Sequence, residues 1–238
     1  MSARARATRS RLTAASAARV TGPRFQRQLP EERRRSLILA TIEGLKRDGH
    51  EGLSVRNISA AAGVSAGLIN HHFPNKDELV AAAYRYFNNE LIAGMLAAVA
   101  GAADSPRDRL RAFLSASFSP PNLDAEVLAV WVVFWGLYRH SRLIQRVHKE
   151  TYEDYVRLVR GMLAELMKEA RGNEPRGKAA RSSAADLRLA AIGLTALVDG
   201  LWLEWCLEPG TFRPAEAIAL CEAWVGGLTQ HTRGASLE

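Results

Sequence analysis

Residues 65–72 combine small side chains with hydrogen-bonding ones in a pattern that could read the edges of DNA bases. Small residues at positions 66 and 67 would let the backbone approach a groove closely. Asn70 can form two hydrogen bonds with adenine, and His71 can donate one to a base or a phosphate. We therefore predict that the outward face of this segment contacts double-stranded DNA. That face consists of Ser65, Ala66, Gly67, Asn70, His71 and His72.

Residues on both sides of this segment are suited to hold phosphates. Hydroxyl, ammonium and guanidinium groups bind phosphate oxygens without reading sequence, as do free amides at the start of a helix. Contacts of this kind set the position of a protein on the duplex. The predicted contributors are Arg35, Ser54, Val55, Arg56 and Lys76.

The formal net charge of +7 is concentrated at the N-terminus. Residues 1–35 contain ten arginines and two acidic residues, for a charge of +8, whereas the remaining 203 residues carry a charge of −1. Such a basic block suits attraction to phosphates with release of counterions. For residues 1–22 a solubilising tail is an equally good interpretation, whereas for residues 24–35 phosphate contact is favoured. We expect residues 1–30 to form a disordered basic arm.

A second group of residues could bind a small cation. Aromatic side chains recur at helical spacing over residues 131–138, and Trp202 lies one turn after Asp199. Aromatic rings with one carboxylate can enclose a quaternary ammonium through cation–π attraction and charge balance. The candidate ligand-binding residues are Trp131, Phe134, Trp135, Tyr138, Asp199 and Trp202. The simpler alternative, which composition alone favours, is that the rings fill the core and a dimer interface while Asp199 bonds to a neighbouring helix.

Local signals place the DNA-reading segment on the second helix of a helix-turn-helix. Ser54 is suited to cap a short helix over residues 55–62, Gly63 permits a tight left-handed turn, and Ser65 is suited to cap the second helix. We expect Leu68 and Phe73 to anchor that helix in the core. After the break at Pro74, Asn75 is suited to cap a long helix that runs to about residue 100.

The remaining chain predicts further helices and no strands. They lie near residues 106–118, 123–139, 142–170, 183–207 and 214–230, between stretches rich in proline, glycine and polar residues. A first helix is expected from Glu31 to the stop at Asp48 and Gly49. With it and the three helices described above, the expected fold is all-α with about nine helices. We expect a DNA-binding domain over residues 31–91 with its motif at 54–73, a ligand-binding and dimerisation domain over 92–231, and a flexible tail over 232–238.

The N-terminal pattern resembles the TetR family of repressors. The resemblance rests on the helix around Leu37, Ile38 and Ala40, on Gly49, Gly52 and Ser54, on the run ISAAAGVSAG from residue 58, and on FPNKDEL from residue 73. It implies an operator that is pseudo-palindromic double-stranded DNA, a small-molecule effector, and a homodimer built from the last two long helices. The family usually has Tyr where this chain has Asn70, which removes a phosphate-contacting phenol and favours a base-reading role for that position.

The C-terminal half resembles the BetI-type subfamily, which comprises choline-responsive regulators of glycine betaine synthesis. The matching segments are AVWVVFW at residues 129–135 and LVDGLW at residues 197–202. The resemblance implies that the effector of such a repressor is choline or another quaternary ammonium. A TetR-type repressor that senses an unrelated apolar metabolite is the alternative.

Other classes of function are less well supported. No HExxH, paired CxxC or GxSxG motif occurs in the sequence, so no catalytic residue, cofactor or metal site is predicted. A helical enzyme and an architectural DNA-binding protein without a sensor are the competing hypotheses. We expect no secretory signal or membrane span, and two buried reduced cysteines, Cys206 and Cys221, in a cytoplasmic protein.

Overall fold

The chain folds into helices alone throughout the part that the structure, a computed structural model, describes: residues 30–49, 53–171 and 179–234. These residues contain nine helices and no strand, which confirms the all-α prediction. In chain order they are α1 (Pro30–Asp48), α2 (Val55–Ala61), α3 (Ala66–His72), α4 (Lys76–Ala100), α5 (Pro106–Ser117), α6 (Ala125–Tyr138), α7 (Arg142–Arg171), α8 (Ala179–Leu207) and α9 (Pro214–Gly234). The predicted basic arm lies outside the described residues, apart from Pro30, which begins α1.

The short helices begin and end at residues whose side chains or backbone freedom favour a boundary. The hydroxyl oxygen of Ser54 accepts from the amide of Asn57 at 3.1 Å, and Asn75 Oδ1 accepts from the amide of Glu78 at 2.9 Å. Gly63 has a φ of +66°, a left-handed conformation that costs other residues free energy. Ser65 also stands at an N-cap position, but its side chain makes no capping bond, so that part of the prediction is wrong.

The N-terminal helices share one hydrophobic core with α6 and part of α7. Leu37, Ile69 and Tyr84 are buried there together with Phe134 of α6 and Val147 of α7. Because this core is continuous, a displacement of α6 or α7 has to be accommodated by side chains that also hold the helix-turn-helix.

A second core joins α5, α7, α8 and α9. Phe113, Leu163 and Leu194 are fully or almost fully buried in it. Both cysteines, Cys206 and Cys221, are buried and free, as predicted for reduced thiols.

Two boundaries differ from the sequence-based expectation. Helix α8 begins at Ala179 rather than near residue 183, and alanine has the highest helix propensity of all residues. Helix α9 extends to Gly234, four residues beyond the predicted end and into the range predicted to be a flexible tail. Helix boundaries are the least specified feature of a helical pattern.

One segment of α8, Asp186–Leu207, is long and apolar enough by composition to cross a membrane. In this fold it packs against α5, α6, α7 and α9. It also carries Asp199 near its middle, where a carboxylate would be costly in hydrocarbon. The segment is therefore best understood as a bundle helix.

Gly193 of α8 lies directly under the ring of Trp224 of α9. A Cβ atom built on Gly193 would be 2.6 Å from two ring atoms, so Gly193→Ala should displace the indole and lower the free energy of unfolding by about 1–3 kcal/mol. Gly161→Ala in α7 is the matched control, since nothing lies within 4 Å of its Cβ position and alanine favours the helix. Urea unfolding of both variants tests this, and equal stability would contradict the contact.

Candidate DNA-binding surface and effector cavity

Helix α3 is held by a small number of buried residues and leaves its other side open. Ile69 is 0% exposed and Phe73 is 1% exposed, whereas Leu68 is only half-buried. The predicted anchoring by Phe73 is confirmed, but Ile69 takes the place given to Leu68. The correction follows from helix geometry, since Ile69 and Phe73 are four residues apart on one face and Leu68 is turned away from it.

The predicted base-reading residues lie mainly on this open side. Ser65, Ala66, Gly67, Asn70 and His71 are exposed, and nothing lies within 4 Å of a Cβ atom built on Gly67. His72 is half-buried, and burial lowers its pKa, with further lowering from the nearby charges of His71 and Arg34. A neutral His72 at the end of α3 adds little charge to the surface.

Arg34 of α1 fixes the C-terminal end of α3, a role that the sequence analysis did not assign. Its Nη1 atom donates to the carbonyl oxygen of His72 at 2.9 Å, and its guanidinium carbon lies 4.1 Å from the ring centroid of Phe73. A cation over an aromatic face is attracted to it, and a charged donor strengthens a hydrogen bond to a carbonyl. Arg34 therefore fixes the position of α3, the predicted DNA-reading helix, relative to α1.

Three of the five residues predicted to hold phosphates already make hydrogen bonds within the protein. Arg35 donates to the Oη atom of Tyr86 at 3.0 Å, and Lys76 donates to the carbonyl oxygen of Leu53 at 3.3 Å. Ser54 caps α2, Val55 is half-buried against the core, and Arg56 is exposed. A lysine has three donor hydrogens and an arginine five, so donors remain for phosphate oxygens.

A cavity of about 320 Å³ lies among α4, α6, α7 and α8. A volume of this size is in the range of small-molecule binding sites. Four of the six candidate ligand-binding residues line it: Trp131, Trp135, Asp199 and Trp202.

Phe134 and Tyr138 do not line the cavity, so the structure corrects their assignment to the ligand site. Phe134 is fully buried and stacks on Tyr84 with ring centroids 4.2 Å apart. Tyr138 is 42% exposed and meets His148 edge-on at 5.1 Å. On α6 the two faces are adjacent, and only the face that carries the tryptophans at 131 and 135 turns toward the cavity.

Asp199 is an unpaired carboxylate at the cavity wall. Within the part of the chain that the structure describes, it makes no hydrogen bond and no ion pair. The residue keeps accessible surface, but surrounding protein atoms remove part of the hydration of its carboxylate and raise its pKa to about 6. Burial, and secondarily the charge of Asp199, also raise the pKa values of Tyr152 and Tyr155. Near neutral pH the cavity therefore holds one negative charge beside neutral phenols.

Helix α7 supplies cavity residues that the sequence analysis missed. His148, Thr151, Tyr152 and Tyr155 all line the wall. Their spacing of three to four residues was the available signal, but charged neighbours in the same stretch suggested a solvated face. Trp202, which was predicted, is further fixed by a bond from its Nε1 atom to the carbonyl oxygen of Asn122 at 2.8 Å.

One hydrogen bond connects the cavity wall to the N-terminal core. Tyr84 Oη and His148 Nδ1 are 2.8 Å apart. Burial raises the pKa of Tyr84 to about 12 and lowers that of His148, so both groups are neutral near pH 7 and the bond is between uncharged partners. His148 thus contacts both the cavity and the core that holds α3.

Helix α3 is exposed on one side, and its core is shared with a helical bundle that contains a cavity of ligand size. This arrangement is that of a DNA-binding regulator with an effector domain. Comparisons with known proteins agree with this class. Residues 37–83 match the model of bacterial regulatory proteins of the tetR family, and residues 106–230 match the C-terminal domain of BetI-type transcriptional repressors. The chain belongs to the tetR family and is a transcriptional regulator with a BetI-type C-terminal domain.

Individual relatives support this assignment. The HTH-type transcriptional regulator BetI from Burkholderia thailandensis is 33% identical over 196 residues, which cover 82% of this chain and 92% of the relative. A solved transcriptional regulator from Pseudomonas aeruginosa PAO1 is 43% identical with a TM-score of 0.77, covering 90% of this chain and 98% of the other. A regulator from Saccharomonospora viridis, solved in complex with choline, has the same fold at 19% identity and a TM-score of 0.66, covering 82% and 96% of the two chains.

Proposed function

We propose that this chain is a repressor that binds operator DNA as a homodimer and changes its operator affinity when an organic cation enters the cavity. Choline or another quaternary ammonium is the proposed cation, in control of glycine betaine synthesis. The observation that carries the proposal is the unpaired Asp199 carboxylate in a cavity walled by aromatic rings. The Saccharomonospora viridis regulator, which shares the fold, was solved in complex with choline, and this supports a cationic effector.

The chemistry of the wall favours a cation without N–H groups. Trp131, Trp135 and Trp202 offer the most electron-rich rings available in proteins, and a cation within about 6 Å of such a ring is attracted by up to about 2 kcal/mol when desolvated. A quaternary ammonium needs no hydrogen-bond acceptors, so it loses little on entering an apolar cavity. Asp199 would neutralise its charge without a competing partner.

Dimerisation is proposed from the surface of the last two helices. Large apolar side chains remain exposed on α8 and α9, where a soluble monomer would be expected to bury them. They are Leu189, Ile192, Leu207 and Leu220. A single short reading helix contacts few base pairs, and a twofold dimer would place two such helices on successive major grooves.

Operator reading should depend on Asn70 in a base-specific way. Asn70→Ala is expected to relax preference at one operator position, at a cost of about 1–3 kcal/mol for the preferred base. Arg56→Ala is the matched comparison, since Arg56 is exposed next to the motif and should weaken binding evenly and reduce the salt dependence. Binding to an operator library with all single substitutions measures both. Equal losses on every sequence for both variants would contradict the assignment of Asn70.

Choline affinity should fall on acidification because Asp199 has a pKa of about 6. The cation binds the ionised carboxylate, which is almost fully populated at pH 7.5 and about one-tenth populated at pH 5, so the affinity should fall about tenfold. His148 also lines the cavity, and its protonation at low pH would repel the cation and act in the same direction.

Calorimetric titration of choline at pH 7.5 and pH 5.0 tests the proposed function. The expected result is binding at pH 7.5 that weakens about tenfold at pH 5.0. Binding of an uncharged isostere with equal affinity would instead favour a sensor of neutral apolar metabolites, and no binding of any quaternary ammonium would overturn the cation proposal.

A further inference from the structure

Two of the helices that line the cavity contribute side chains of different chemistry. Asp199 and Trp202 belong to α8, whereas α4 contributes the aliphatic side chains of Leu91, Ile92 and Met95. Helix α4 packs closely on α1, α5 and α7, and α8 packs on α5, α6, α7 and α9, but these two helices are not closely packed on each other. The aliphatic wall and the carboxylate therefore belong to helices that the cavity separates.

The described residues cover the aliphatic wall only in part, although Leu91 packs against the N-terminal core and Met95 against the second core. Leu91, Ile92 and Met95 are each only half-buried, and all three face the cavity. Apolar surface in contact with water disfavours the empty state by roughly 25 cal/mol for each Å². An apolar group of a ligand would remove that surface from water.

The volume also exceeds what a small head group requires. A cavity of 320 Å³ holds about ten waters at liquid density. Choline has fewer non-hydrogen atoms than that, so a choline beside Asp199 would leave the α4 end filled with water.

From these observations we infer that the effector is an amphipathic cation, with a quaternary ammonium head beside Asp199 and an aliphatic chain along Leu91, Ile92 and Met95. This inference rests on the proposed cation site and extends it by naming the part of the ligand that contacts α4. Helix α4 directly follows the helix-turn-helix in sequence. The alkyl chain of the effector would therefore contact the helix that connects the cavity to the DNA-binding domain.

A series of trimethylammonium ions with increasing alkyl chains tests the inference. Calorimetric titrations at pH 7.5 would compare choline with the propyl, butyl, pentyl and hexyl ions. Each methylene that becomes buried should tighten Kd about fourfold, which corresponds to about 0.8 kcal/mol, until the α4 end is filled. A Kd that stays constant or rises with chain length would overturn the inference.

Two variants of α4 test where the alkyl chain of the ligand lies. Met95→Gln keeps the length of the side chain but makes the wall polar, so it should reduce the gain in affinity for each added methylene relative to the unmodified protein. Leu96→Gln is the matched control, since Leu96 is the next residue, is 46% exposed and does not line the cavity. Circular dichroism establishes that both variants are folded. If Kd tightens equally in both variants as the alkyl chain lengthens, the alkyl chain does not lie along α4.

The outcomes separate this inference from the function on which it rests. Binding of choline without any gain from longer chains overturns the amphipathic ligand and leaves the cation site intact. Failure of every ammonium ion, short or long, overturns the cation site itself. Tightening with chain length that is lost in Met95→Gln and kept in Leu96→Gln supports both.

Discussion

Asp199→Asn should weaken choline binding about 10- to 100-fold at pH 7.5. The substitution keeps the volume of the side chain and removes its charge, so the cation loses the one carboxylate that lines the cavity among the described residues. Interactions of a charged group in a partly desolvated site are worth about 1.5–3 kcal/mol, which gives the expected range. Calorimetry measures the change directly, and in the variant the affinity should also depend less on pH, with His148 as the remaining titrating group in the wall.

Glu204→Gln provides the control for this experiment. Glu204 lies on the same helix, is exposed and does not line the cavity, so neutralising it changes the net charge of the protein without touching the site. Its choline affinity should match that of the unmodified protein. Equal affinity in Asp199→Asn and Glu204→Gln would show that the carboxylate does not bind the cation.

Tyr84→Phe should separate ligand binding from its effect on DNA. The ring would keep its stacking on Phe134, but the hydrogen bond to His148 would be lost. Choline affinity and operator affinity should each change little alone, whereas the change in operator affinity caused by choline should shrink several-fold. Coupling free energies between sites are typically 1–3 kcal/mol, or about 5- to 150-fold, so the loss is measurable by titrating operator DNA with and without choline.

Tyr86→Phe is the comparison for this coupling. Tyr86 also lies on α4, and its hydroxyl bonds to Arg35 rather than to a cavity residue. Removing that hydroxyl should leave the choline effect intact. If Tyr84→Phe retains the full choline effect, coupling does not pass through the bond to His148.

The helix-turn-helix domain was largely predictable because the residues that begin and end its helices act locally. Ser54, Gly63 and Asn75 each act on backbone within three or four residues, so their roles follow from sequence position alone. The same reasoning fails for Ser65, whose side chain makes no capping bond although it stands at an N-cap position. It also missed Arg34, since its contact with His72 joins residues 38 positions apart.

The cavity was only partly predictable because its wall is built from distant segments. Periodicity placed Trp131 and Trp135 on one helical face and Phe134 and Tyr138 on the next, but it does not say which face meets the cavity. That choice depends on Tyr84, which packs against Phe134 from α4. His148 bonds to Tyr84 across 64 positions and could be assigned only once the fold was known.

Fluorescence anisotropy with labelled DNA from upstream of this chain's own gene tests whether a cation at Asp199 controls operator binding. Operator affinity would be measured at fixed salt with and without a saturating quaternary ammonium, in the unmodified protein and in Asp199→Asn. We expect specific binding, a change in operator affinity of at least fivefold on adding the cation, and no such change in the variant. Specific binding that no cation alters, or an equal response in Asp199→Asn, would contradict it.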